Sequence, residues 1–148
     1  MQLTAKAEYA LRAATVLALS GPGPMKSEAI AAAEDIPLRF LHNILTALTR
    51  AGILSSLRGA DGGYELTRAP ATITVADVIR AVEGPYAAGG SPDAVDAPVP
   101  RRGGNDALRA VWAVLRANER AVLESVPLVD LVSGRLPDVS AVGRFTTT

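Results

Sequence analysis

Between Leu38 and Arg58 the chain places three arginines (Arg39, Arg50 and Arg58), its only histidine (His42), and no Asp or Glu. Guanidinium groups donate to phosphate oxygens and to guanine edges, and an amide such as that of Asn43 matches an adenine edge. Thr46 adds a hydroxyl. These side chains fit recognition of a polyanion better than they fit catalysis. With one His and no Cys, the sequence offers no nucleophile–His–carboxylate arrangement, no thiol nucleophile, no disulfide and no all-cysteine zinc or iron–sulfur site. The glycines near Arg58 do not lead into a helix within a βαβ pattern, so a phosphate-cradling nucleotide loop is not indicated either. An enzyme is not expected.

The elements that must position these residues follow from apolar spacing. Leu3, Ala7, Ala10, Leu11, Ala14, Leu17 and Ala18 recur at three- and four-residue steps, which predicts a helix from Leu3 to Leu19. Gly21-Pro22-Gly23-Pro24 breaks it. Ser27 reads as the cap of a short helix over Glu28–Ala33, and Pro37 suits the first turn of a third helix from about Leu38 to Ala51. In that helix Leu41, Ile44, Leu45 and Leu48 form the inward stripe. Arg39, His42, Asn43, Thr46 and Arg50 fall outside it. Gly52 is placed to stop the helix. Two short runs, Ile53–Leu57 and Tyr64–Thr67, flank Arg58-Gly59-Ala60-Asp61-Gly62-Gly63 and predict a β-hairpin. Helix, turn, helix, then a hairpin carrying an arginine describes a winged helix-turn-helix, whose expected ligand is double-stranded DNA. The fold class expected is mainly α with a small β-hairpin.

Beyond the hairpin, Thr74–Glu83 predicts a helix with Val75, Val78, Ile79 and Val82 inward. Residues 85–105 carry no periodicity and read as a flexible loop. Asp106 to Val126 predicts a long helix with Leu108, Val111, Trp112, Leu115, Val122 and Leu123 along one side. Leu128–Val132 predicts a short terminal helix before Ser133-Gly134. The expected organisation is a DNA-binding domain over 1–84, the loop over 85–105, a dimerisation helix with a short terminal helix over 106–134, and a disordered tail over 135–148. The apolar stripe of the long helix lies outside the three-helix core. It needs cover, either from a second copy of the chain or from the first helix of its own chain. Asn118 interrupts the stripe, and one polar residue in a seam can fix register. A homodimer would present two recognition helices to successive major grooves.

The chain is neutral overall, with 15 basic and 15 acidic residues. That balance is compatible with DNA binding only because the basic groups cluster locally. No stretch reaches the ~20 apolar residues of a membrane span. The opening Met1–Lys6 lacks a basic region followed by an apolar one, so a cytoplasmic protein is expected.

The opening Leu3-Thr4-Ala5-Lys6-Ala7-Glu8-Tyr9-Ala10-Leu11-Arg12-Ala13, the turn-helix Ile36–Leu45, the wing Leu57–Leu66 and Ile79-Arg80-Ala81-Val82-Glu83-Gly84-Pro85 resemble the IscR/NsrR (Rrf-type) bacterial transcription regulators. The resemblance covers most of the chain up to Pro85. It implies a homodimer with crossing C-terminal helices, the third helix in the major groove and the wing in the adjacent minor groove. Carried over by position, it puts Arg39, Phe40, His42 and Asn43 on DNA from the helix, and Arg58 and Gly59 from the wing, with Gly62 and Gly63 shaping it. Ser27, Leu38, Thr46 and Arg50 complete the candidate DNA-binding set.

Well-studied members carry three cysteines in the loop before the dimerisation helix and hold an iron–sulfur cluster there. The corresponding loop, Gly89 to Pro98, has none. Glu8 occupies the place of an acidic cluster ligand, but it reads here as a salt-bridge or capping residue. The expectation is therefore a sequence-specific regulator, a repressor, acting as a homodimer on a palindromic operator with no cofactor, metal or catalytic site. Its effector, if a small molecule, is unidentified. The alternatives are a winged-helix protein-interaction module, and a regulator sensing a small molecule or a metal through the 85–105 loop, with Asp93, Asp96, Asp106 and Glu8 as oxygen ligands.

Overall fold

The computed structural model describes residues 2–84 and 106–135. Its elements are α1 (Ala5–Ser20), α2 (Ser27–Glu34), α3 (Leu38–Arg50), β1 (Leu54–Leu57), β2 (Gly63–Leu66), a 3-10 turn at Pro70–Thr72, α4 (Val75–Glu83), α5 (Asp106–Glu124) and α6 (Leu128–Ser133). The expected loop over 85–105 and nearly all of the expected tail over 135–148 lie outside the described residues.

The central element is α1, which packs against α2, α3, α4 and α6. Thr4 starts it, its hydroxyl accepting the Ala7 N–H at 3.1 Å. Ala7, Ala10, Ala13 and Ala14 are essentially inaccessible to solvent. Side chains this small let neighbouring helices come close on several sides. For that reason the buried surface is wider than the stripe read from spacing: Ala13 and Val16 are buried too. Leu3, expected inward, precedes the helix and is exposed.

Ser27 is not the cap of α2. Lys26 holds the extended cap position, no side chain caps the helix, and Ser27 is its first residue. The reason lies in a contact made elsewhere. Met25 and Tyr64 exchange backbone hydrogen bonds, Met25 N–H to Tyr64 O at 2.9 Å and Tyr64 N–H to Met25 O at 2.8 Å. This keeps the chain extended until the helix begins. Asp35, in the left-handed conformation, ends α2. Arg12 of α1 then reaches the α2 terminus, its Nε donating to Glu34 Oε2 at 3.0 Å and its terminal nitrogen to the Glu34 carbonyl. A cation at a helix C-terminus also complements the helix dipole.

In α3, Leu41, Ile44, Leu45 and Leu48 are buried as spacing required. Pro37 sits at the cap rather than inside the first turn, and the Leu41 N–H bonds its carbonyl at 3.0 Å. Gly52, with φ 76°, turns the chain out of the helix. The antiparallel hairpin pairs Leu54 with Leu66, Ser55 with Glu65, Ser56 with Tyr64, and Leu57 with Gly63. Its open end is tied back to the end of α3, because the Thr67 hydroxyl donates to the Gly52 carbonyl at 2.6 Å.

A capping box starts α4. The Asp77 N–H donates to the Thr74 hydroxyl at 3.1 Å and the Thr74 N–H to the Asp77 carboxylate at 3.0 Å. The chain after α5 returns to this point: the Val75 N–H bonds Val126 O at 2.9 Å and the Leu128 N–H bonds Ile73 O at 2.8 Å. Val126 and Leu128 are buried in the same core as α1. The long helix ends two residues earlier than spacing predicts because residues 126–128 are drawn into this bridge. It packs on α4, with Arg80 donating to Glu124 Oε1 at 2.5 Å. Thr74→Ala removes the capping acceptor and is expected to lower unfolding free energy by about 1 kcal/mol, measurable by urea denaturation.

Candidate nucleic-acid interface

The side of α3 opposite its buried stripe carries Leu38, Arg39, Phe40, His42, Asn43, Thr46 and Arg50, all exposed. Phe40 stands out, with 61% of its surface open to solvent. Leu38, 37% exposed, is the other large apolar side chain on this face, and the rest are polar. Arg39, Arg50 and Arg58 form no ion pair among the described residues, whereas Arg12, Arg68 and Arg80 are each held by a carboxylate. The unpaired guanidinium groups on α3 and the hairpin are free to meet phosphates or base edges. The Thr46 hydroxyl donates to the His42 carbonyl at 2.8 Å, so toward a ligand it retains only acceptor capacity.

The hairpin presents Arg58 and Gly59, both exposed, at the start of the turn. Gly59, at φ 103°, and the 3.0 Å bond from Gly62 N–H to Gly59 O close that turn. Gly62 is buried, and a Cβ there would lie 2.2 Å from the Leu57 carbonyl oxygen. Gly63, at φ 150°, faces Met25: a Cβ would sit 2.5 Å from the Met25 carbonyl oxygen. Both glycines therefore shape the wing through close backbone approach and offer no contact side chain.

The same Met25 pairing brings α2 into the site. Ser27 Oγ lies 3.3 Å from His42 Nε2 and donates to Glu28 Oε2 at 3.3 Å. The Glu28 carboxyl is held below the usual carboxylate range, first by its own backbone N–H and then by the Ser27 hydroxyl, with Lys26 and His42 adding attraction against a desolvation penalty. Sequence reasoning found Ser27 but not Met25, Lys26 or Glu28. A single bridging residue between Pro24 and a helix carries no alternation to detect.

The likeness to known proteins agrees with this geometry. The family model for Rrf2, described as an iron-dependent transcriptional regulator, matches residues 3–134. The chain belongs to the Rrf2 family. A Mycobacterium tuberculosis protein named as an HTH-type transcriptional regulator is 43% identical over 139 residues, which cover 93% of this chain and 85% of that protein. CymR of Bacillus subtilis, named as an HTH-type transcriptional regulator, is 34% identical over 135 residues, covering 90% and 91% of the two chains. The solved structure of that CymR, titled the global cysteine regulator, aligns at TM-score 0.75 with 32% identity over 90% of this chain and 98% of its own. IscR of T. potens aligns at TM-score 0.71 with 25% identity over 99% and 94%. This Rrf2 protein is accordingly a DNA-binding transcription regulator with a winged helix-turn-helix, and not an enzyme.

The iron named in the family description finds no thiolate here. These 148 residues contain no cysteine, and no three His, Asp or Glu side chains gather into a metal-holding group among the described residues. Glu8 instead lies 3.9 Å from Arg12, one turn along α1. The donor set does not fit an iron–sulfur cluster. Asp93 and Asp96 lie outside the described residues. No helix among the described residues is long and apolar enough to cross a membrane. Gly62→Ala is expected to force the turn open and destabilise the wing by about 1–3 kcal/mol, read as faster amide exchange at Tyr64 and Met25 with the α1 amides unchanged.

Proposed function

We propose that this Rrf2 regulator is a homodimeric repressor that reads an inverted-repeat operator without an iron–sulfur cluster. The observation that carries the reading is the unpaired, acid-free outer face of α3, set beside a wing whose arginine is equally free. Arg39, Phe40, His42 and Asn43 would enter the major groove. Arg58 and Gly59 would follow the adjacent minor groove, and Arg50 would lie against the backbone.

The support for a dimer is α5. Leu108, Val111, Trp112 and Leu115 are each more than half exposed, while Asn118 and Val122, further along, are partly covered. Its 19 residues span roughly 28 Å. The alternative expectation, that this stripe folds back on α1, finds little support: the packing of α5 is to α4 at its C-terminal end. A second α5 supplies the apolar cover that the first half lacks. Two copies would then place their α3 helices in successive major grooves, about 34 Å apart.

Selection of bound fragments from the source genome should return an inverted repeat with half-sites about one helical turn apart; recovery of random fragments would contradict the reading. Arg58→Ala should weaken operator binding and reduce the slope of log affinity against log salt by about 1. Trp112→Glu should give a monomer by sedimentation and abolish operator binding at concentrations where the unsubstituted chain is dimeric.

A further inference from the structure

We propose that Ser27 and Glu28 of α2 set which hydrogen-bonding edge of His42 faces the operator, and so make the ring a reader of an amino group on a base. The inference rests on α3 being the recognition helix and adds to that reading a rule for one base position.

The protons available to these three groups decide the direction of each bond. A serine hydroxyl has one hydrogen and two lone pairs, and an ionised carboxylate can only accept. Ser27 Oγ lies 3.3 Å from both Glu28 Oε2 and His42 Nε2. The carboxylate is the stronger acceptor because it is charged, so the hydroxyl hydrogen goes to Glu28. That carboxyl is held below the usual range by its own backbone N–H and by Ser27 itself, which keeps it an acceptor. Toward His42, then, Ser27 offers a lone pair, and the hydrogen on that contact must belong to His42 Nε2.

In the neutral ring one nitrogen donates and the other accepts. With Nε2 donating to Ser27, Nδ1 is left as an acceptor, and no bond to it is made among the described residues. His42 is exposed on the same face as Arg39 and Asn43. In the major groove, cytosine N4 and adenine N6 are the amino donors, whereas guanine and thymine present only acceptors on their base edges. A neutral His42 held in this way favours cytosine or adenine at the position it meets and disfavours guanine and thymine. Ser27 and Glu28 act through His42 and are positioning residues. The ring alone could turn either nitrogen outward.

The test is selection from a random duplex library at pH 8 with the full chain, comparing the unsubstituted protein with Ser27→Ala, Ser27→Thr, Glu28→Ala and His42→Ala. The unsubstituted protein should enrich cytosine or adenine at one position in each half-site, roughly threefold to tenfold over the other two bases, as one hydrogen bond would give. Ser27→Thr keeps the hydroxyl and should keep the preference. Ser27→Ala, Glu28→Ala and His42→Ala should flatten that one position and leave the rest of the motif. Thermal melting identifies any variant that fails to fold, and the two independent removals, at Ser27 and at Glu28, keep the test open if one of them does. A position that stays selective in both Ser27→Ala and Glu28→Ala overturns the proposal, as does a guanine or thymine preference that His42→Ala abolishes. Failure to enrich any motif with the unsubstituted protein would instead sink the recognition-helix reading on which the proposal rests.

Discussion

The close approach of helices around α1 is the constraint on which the other elements depend. Ala7, Ala10, Ala13 and Ala14 are fully enclosed, and each occupies a place where a larger side chain would push a neighbour outward. α2, α3, α4 and α6 all pack on this helix, so the tilt of α3 is fixed by the volume of alanine methyl groups. With aromatics only 4% of the chain, packing quality depends on fit between small groups more than on large buried rings. Interiors of this kind respond to a change of a single methylene.

The second organising contact is the two-bond bridge between Met25 and Tyr64. It joins the residue two positions before α2 to the second strand of the wing, so helix-turn-helix and hairpin are one rigid unit and not two modules on a linker. Gly63 exists in its present form because of this bridge, since any side chain would collide with the Met25 backbone. The Arg12 contacts with Glu34 hold the other end of α2 to α1. With both ends fixed, α2 presents Ser27 to His42 at a set distance.

Much of this was legible in the sequence where structure follows a repeating pattern. The buried stripes of α3 and α4 came directly from spacing, and Gly52 and Gly134 mark helix ends where expected. What stayed hidden depends on single contacts between distant residues. Met25 pairs with a residue 39 positions away, and nothing beside it announces a strand. Ser27 looked like a cap because Ser commonly is one; the bridge at Met25, one residue before Lys26, moved the cap to Lys26. The return of residues 126–128 to the start of α4 was equally invisible, because two bridging hydrogen bonds leave no periodicity. Within the interface, residue type indicated which groups could bond DNA. It did not indicate that Thr46 would bond its own helix, or that Gly62 would be enclosed.

That return has a mechanical meaning. Among the described residues, α5 joins the winged core through Glu124, Val126 and Leu128, while Leu108, Val111, Trp112 and Leu115 along its first half are more than half exposed. It is a lever with its fulcrum beside the entry to α4. In the proposed dimer, a small rotation about that fulcrum would swing each winged core through an arc while leaving its internal packing untouched. The distance between the two α3 helices of that dimer would then be a property of one joint, and the half-site spacing it accepted would be set there and not on the outer face of α3.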